Sequence, residues 1–270
     1  MRAPCGVLTL ATDFGLQDSY VGTMKGVILR ILPDARMVDL THQITAQDVV
    51  EASLVLENAY RFFPAGTVHV VVVDPGVGTP RRAILIATPE AYFVGPDNGT
   101  FTRVLGSESE RRIFEISAEQ FLLPAISDTF HGRDIFAPAA AYLASGVAPE
   151  EFGPEISDPI VLPLPEPRVW SHRIVGQVIY VDSFGNVITN VSHELWDREV
   201  RDRTFLISIN GKRIDRVVRT YLDQEMGATL ALFGSSELLE IAVAGGRADR
   251  RIGAGKGDTV VIDLDGAAHG

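Results

Sequence analysis

Short β-branched and aliphatic runs alternate with segments of helical period from Gly6 to about Gly146. Val7–Thr12, Met37–Leu40, Val68–Val73, Ala83–Thr88 and Ala91–Gly95 read as strands, most of them too continuously apolar to leave one face in water. Between the first two, Tyr20, Met24, Val27, Ile28 and Ile31 recur at the spacing of one helix face until Pro33 stops the helix. Asp48–Phe63 repeats the pattern and ends at Pro64, and a further helix is expected over Arg133–Ala144, its start made irregular by Pro138. Strands and helices in alternation predict an α/β domain with a largely parallel central sheet.

The texture then changes. "SDPIVLPLPEPRVW" is proline-rich and reads as a linker, and the β-branched runs beyond it, from "RIVGQVIYVD" to "DTVVIDL", are separated by turn signals. Asn210-Gly211 between two such runs is a strong hairpin signal. The organisation expected is an N-terminal α/β domain over 1–163, a proline-rich linker over 154–169 and a smaller C-terminal antiparallel β domain over 170–265.

Composition narrows the partners. The 270 residues are 46% hydrophobic and 22% charged, as in ordinary globular proteins. A net charge of −11 argues against a nucleic-acid partner, whose phosphates call for cations, and is compatible with a cationic small molecule. One cysteine, Cys5, excludes an intrachain disulfide and a cysteine-only metal cluster. With no apolar run near the length of about 18 residues that suggests a membrane span, a soluble cytoplasmic protein without a membrane partner is expected.

Polar groups recur where strands end. In open parallel sheets ligands sit beyond the carboxyl edge, and there the sequence places Asp13, Asp74, and Asp97 with Asn98. An aspartate after a strand is most often a cap or turn former, but three at one edge point to a polar cleft. The Asp-Pro-Gly break after the third strand aims Asp74 into it, and the short "DPGVGTP" loop returns Arg81 towards Asp74 while Arg82 faces away. That loop lacks a nucleotide-phosphate motif. "FHGRD" brings His131, Arg133 and Asp134 ahead of the third helix, as a helix start or as a base and orienting groups at the cleft. No metal-ligand spacing accompanies His131. In the second domain, "DSFGN" offers an acceptor and an amide, Asp182 and Asn186, or simply a hairpin turn, and "GSSE" offers Ser235 in a turn or a carboxylate site.

Taken in order, "TDFGLQDSYVGTMKGVI", "DPGVGTPRR", "PDNGTF", "TFHGRDIFAPAAA", "DSFGNVITN" and "GSSELLEIAVA" resemble the S-adenosyl-L-methionine (SAM) hydroxide adenosyltransferases, formerly DUF62, relatives of the fluorinases and chlorinases. The resemblance implies hydrolysis of SAM to adenosine and L-methionine with no cofactor or metal. It also implies a homotrimer whose sites lie between the large domain of one subunit and the small domain of its neighbour. Residue by residue it places the catalytic set on Asp74, Arg81 and His131, the ribose aspartate on Asp13, the methionine end at Asp182, the adenine at Asn186, and further ligand contacts at Ser235 and Glu237. Phe130 and Phe14 would keep the cleft dry. Asp74 and His131 favour water over halide, since the halide-using relatives carry no acid at the first position and a tyrosine at the second. An aromatic that stacks near the ribose in the fluorinase is Gln47 here.

Overall fold

The computed structural model describes residues 2–265, and its contacts divide the chain after Pro163 into two compact units. In the first, a six-stranded sheet has the order β2-β1-β3-β5-β4-β6. Its strands are β1 (Val7–Thr12), β2 (Arg36–Thr41), β3 (Thr67–Val72), β4 (Ala83–Ala87), β5 (Ala91–Pro96) and β6 (Arg112–Glu115). The pairs β1–β2, β1–β3 and β3–β5 are parallel, whereas β4 runs antiparallel to both β5 and β6. The expected largely parallel sheet is present. Its antiparallel edge follows from the short connection between β4 and β5, which leaves no room for a crossover.

Both faces of the sheet are covered, which explains the continuous apolar runs: every residue of β1, β3, β4 and β5 is buried. On one face Leu8, Leu10, Val70 and Val72 meet Met24 and Ile28 of α1 (Tyr20–Ile31) and the alanines of α4 (Ala137–Ala144). On the other, Ala11, Val71, Val73 and Phe93 meet Leu56 and Tyr60 of α2 (Val49–Tyr60) and Val104 of α3 (Thr102–Ser107). Asp48 caps α2 by accepting the Glu51 N–H at 2.9 Å.

The irregular start expected from Pro138 is a π-helical turn, Gly132–Phe136, leading into α4. Pro138 has no N–H to offer the Asp134 carbonyl four residues earlier, and the Leu123 N–H binds that carbonyl instead at 3.0 Å.

The second unit is an antiparallel, nearly closed sheet of order β11-β10-β14-β8-β9-β13-β12, with β7 (Arg168–Trp170) added on β8. The main strands are β8 (Arg173–Val181), β9 (Val187–Ser192), β10 (Phe205–Ile209), β11 (Lys212–Ile214), β12 (Thr229–Phe233), β13 (Leu238–Val243) and β14 (Thr259–Leu264). Val217, just past β11, bridges Ala231 of β12 and brings the two edges together. Asn210 and Gly211 turn the β10–β11 hairpin with φ of 43° and 76°, the left-handed pair that such a turn requires. The core holds Ile174, Val187, Ile241, Val260 and Ile262, and α5 (His193–Glu199) and α6 (Ala248–Ile252) contribute Trp196 and Ile252 to it.

Candidate active site

β3 runs through Val73 into Asp74 at the carboxyl edge of the first sheet. Asn98, just after β5, donates from Nδ2 to the Val73 carbonyl at 2.9 Å and accepts the Thr100 hydroxyl at 2.7 Å, which pins the backbone immediately before Asp74. The following loop returns Arg81, whose Nε lies 3.0 and 3.1 Å from the two Asp74 oxygens and whose Nη2 lies 2.5 Å from Oδ2. Gly78 permits this return: its φ is +76°, and a Cβ there would collide with the Asp128 carbonyl, so the loop packs on the segment that leads to His131.

Arg82 turns the other way. It binds Asp97 at 2.9 Å and Asp158 at 2.8 Å, while Asp97 also accepts the Ile160 N–H at 2.8 Å. Of the three aspartates at strand ends, Asp13 and Asp74 therefore share a cleft, and Asp97 instead clamps part of the proline-rich passage to the first unit.

The same Nη2 of Arg81 lies 2.7 Å from Nδ1 of His131. A guanidinium has no lone pair with which to accept, so Nδ1 is the acceptor and the neutral imidazole carries its proton on Nε2. Burial, and then the Arg81 charge, hold the His131 pKa below its ordinary value, so the ring is neutral at pH 7. The Arg81 and Asp74 side chains are only 9% and 5% exposed, so removing either would leave the other's charge buried without its partner. Phe136 lies 5.1 Å beneath the guanidinium.

Asp134 is fully buried and serves the loop. It accepts the Ser127 N–H at 2.8 Å, the Ser127 hydroxyl at 2.9 Å and Arg133 Nε at 2.5 Å, fixing the turn that presents Phe130 and His131. Although burial opposes its ionisation, the bonds from Arg133 and Ser127 keep its pKa below the ordinary carboxylate value.

Asp13, Phe14, Tyr20, Gln47, Asp74, Phe130 and His131 line one cleft of about 510 Å³. Asp13 accepts the backbone N–H of Gln47 at 2.8 Å on Oδ2, and Gln47 sits at φ 65° to make that contact. A larger groove of about 940 Å³, beside Val27, Ile31 and Leu122, contains none of these groups.

In the second unit Asp182, Asn186 and Ser235 border a cleft of about 640 Å³ with Phe184, Tyr221 and Glu240. Asp182 accepts the Asn186 N–H at 2.8 Å and its side-chain amide at 2.9 Å, so the loop is both a hairpin turn and an oriented polar pair. Glu237 does not join them. It occupies the β12–β13 turn at φ 56°, and its carboxylate pairs with His193 Nδ1 at 3.0 Å, outside the lining of that cleft.

The carboxylate that does line the cleft is Glu240, 7% exposed and bonded by the Tyr221 hydroxyl at 3.0 Å. Burial raises its pKa, as does nearby Asp182, against the opposing Tyr221 bond, while burial and Glu240 push Tyr221 up to about 12. Gly234 makes room for it, since a Cβ at that position would overlap the Glu240 carboxylate. The sequence signal was a lone acid inside the apolar run "LLEIAVA". Among the described residues no group of three or more His, Cys, Asp or Glu is placed to hold a metal ion.

Residues 8–153 match the SAM hydroxide adenosyltransferase N-terminal domain, and residues 176–261 match the C-terminal domain of that family. The chain belongs to this family. A SAM hydroxide adenosyltransferase relative from Salinispora tropica, named (R)-S-adenosyl-L-methionine hydrolase, is 38% identical over 96% of this chain and 98% of its own. A fluorinase from Nocardia brasiliensis is 27% identical over 68% of this chain and 71% of its own. The crystal structure of an uncharacterized conserved protein from Thermotoga maritima superposes with a TM-score of 0.89 at 38% identity, covering 95% of this chain and 99% of that one.

Proposed function

We propose that the chain hydrolyses SAM to adenosine and L-methionine by attack of water at C5′ of the ribose, without a metal. The observation that carries this reading is the Asp74–Arg81–His131 cluster, bonded at 2.5 to 3.1 Å on a partly apolar cleft. The hydrolase relatives support it, and their names specify the (R)-configured sulfonium, which we extend to this chain. Asp13 holds the ribose hydroxyls, Asp182 the methionine end and Asn186 the adenine, with Ser235 and Phe130 as further contacts. Glu237 remains a candidate contact in the Ser235 segment, and Glu240, which lines the cleft with Asp182 and Asn186, joins it.

The substrate needs little acid help, because its sulfonium leaves as a neutral thioether. What the protein must supply is one water held in line with the C5′–S bond, about 3 to 3.5 Å from C5′, and an acceptor for its proton. Arg81 only donates, and His131 has Nδ1 occupied and Nε2 protonated, so neither takes that proton. Asp74 does. The water oxygen accepts from His131 Nε2–H as its O–C5′ bond forms, the C5′–S pair passes to sulfur, and the proton goes to the Asp74 carboxylate. Since a polar nucleophile meets a cation and the charge on sulfur is lost, the apolar walls given by Phe14 and Phe130 favour the reaction by excluding bulk water. Bromide or chloride in place of water would meet the Asp74 charge.

Homotrimeric assembly, with each site completed by a neighbouring subunit, and a cytoplasmic setting, which the single cysteine fits, belong to the same proposal. The test is chelator-treated protein incubated with SAM in ¹⁸O-water. Labelled adenosine and unlabelled methionine are expected, and intact substrate despite binding would overturn the assignment.

A further inference from the structure

Phe14, Tyr20 and Phe130 touch pairwise in the first cleft. Their centroids lie 5.9 Å (Phe14–Tyr20), 6.0 Å (Phe14–Phe130) and 5.1 Å (Tyr20–Phe130) apart, with interplanar angles of 61°, 75° and 82°. The three rings meet edge to face, and all three line the same cleft as Asp13, Asp74 and His131. The rings come from three separate places in the chain: Phe14 follows β1, Tyr20 opens α1 and Phe130 precedes the π-helical turn. Tyr20 keeps 47% of its surface exposed while packing on the other two, so it is not simply a core side chain.

Ring faces carry partial negative charge, and a cage of rings is how proteins bind cations that have no N–H to donate. A trialkylsulfonium is such a cation. It differs from the corresponding thioether only by its charge and one methyl group, so hydrogen bonds alone cannot tell the two apart. One cation already lies near Phe130, the Arg133 guanidinium at 5.1 Å, but Asp134 neutralises it at 2.5 Å.

The geometry points to an aromatic cage for the sulfonium, in which Phe14, Tyr20 and Phe130 are specificity-determining residues that favour the charged substrate over its neutral thioether. This rests on the SAM-hydrolase reading above. The cage acts in binding and release and not on the barrier, because the sulfonium charge it holds is lost as the C5′–S bond breaks and its electron pair settles on sulfur, after which the neutral thioether is held less tightly by the rings.

Initial rates on the native chain give KM for SAM and the inhibition constant of S-adenosyl-L-homocysteine, the thioether. Phe130→Leu and Tyr20→Leu are each expected to lower the preference for SAM about 3- to 10-fold, by raising KM more than the inhibition constant. Leucine also alters packing, so Phe130 is replaced in addition by phenylalanines carrying increasing fluorine, which withdraw charge from the ring face and nearly keep its shape. The preference then falls stepwise with fluorine. Equal weakening of both ligands, or no response to fluorine, overturns the cage and leaves the hydrolase reading standing. If the native chain neither binds nor turns over SAM, both are overturned.

Discussion

Replacing His131 with asparagine and, separately, with glutamine separates a hydrogen-bond donor from a base. The Arg81 bond to Nδ1 at 2.7 Å requires that Nε2 carry the proton, so the ring acts on the water as a donor. Asparagine can place its oxygen near Nδ1 and keep the Arg81 bond, but it has nothing at Nε2. Glutamine can reach the Nε2 position with an N–H, but it leaves Arg81 short of one acceptor. A hydrogen bond involving a charged or charging group contributes about 1.5 to 3 kcal/mol, so His131→Asn should lower kcat about 10- to 150-fold with little change in Tm. His131→Gln should keep more of kcat and lose about 1 to 3 kcal/mol of stability, because the buried Arg81 N–H goes unpaired. The assays are steady-state kinetics and thermal unfolding. The pH profile adds a sign: burial and then Arg81 depress the His131 pKa, so the Arg81 bond to Nδ1, which ring protonation breaks while leaving the Nε2–H in place, is lost with its share of activity only as pH falls below the ordinary histidine range. In both variants that acid limb should disappear. Equal losses in the two variants would refute the donor role, and a native limb centred above pH 6.5 would refute the depressed His131 pKa.

Asp74→Asn should retain binding and lower kcat by about 10²- to 10⁴-fold as the proton acceptor is lost; a full rate would remove Asp74 from the chemistry. Glu240→Gln, which preserves shape and the Tyr221 contact, should weaken SAM binding measurably in titration while leaving kcat at saturation nearly unchanged. Asn98→Ala frees the Val73 carbonyl that precedes Asp74, so kcat should fall with KM little altered, at about 1 kcal/mol of stability read by denaturant unfolding. Light scattering on the purified chain should report three copies, and a monomer that hydrolyses at the full rate would contradict the proposed assembly.

Much of the architecture was legible because it rests on local rules. Buried strands must be continuously apolar when both faces are covered, Pro33 and Pro64 stop helices, Asn210-Gly211 favours the left-handed pair a hairpin needs, and Pro138 cannot complete a regular helix. The positions of Asp74 and Arg81 were readable for a similar reason, since a strand end and a short glycine loop leave few directions for either side chain. Short elements escaped: β6, α3, α5 and α6 are held by packing more than by their own pattern.

What only the tertiary structure decided is which polar groups meet. Asp97 and Asp74 carry the same signal after strands, yet one clamps residues 158–160 and the other faces the cleft, because Arg82 and Arg81 leave the backbone on opposite sides. Glu237 and Glu240 stand three residues apart in one motif, but the first sits at a turn with positive φ and pairs with His193, and the second points from a strand into the cleft. The His131 tautomer is set by a residue 50 positions away. Periodicity and propensity act over a few neighbouring residues, whereas proton positions and charge pairs depend on contacts between distant ones, and those exist only once the chain has folded.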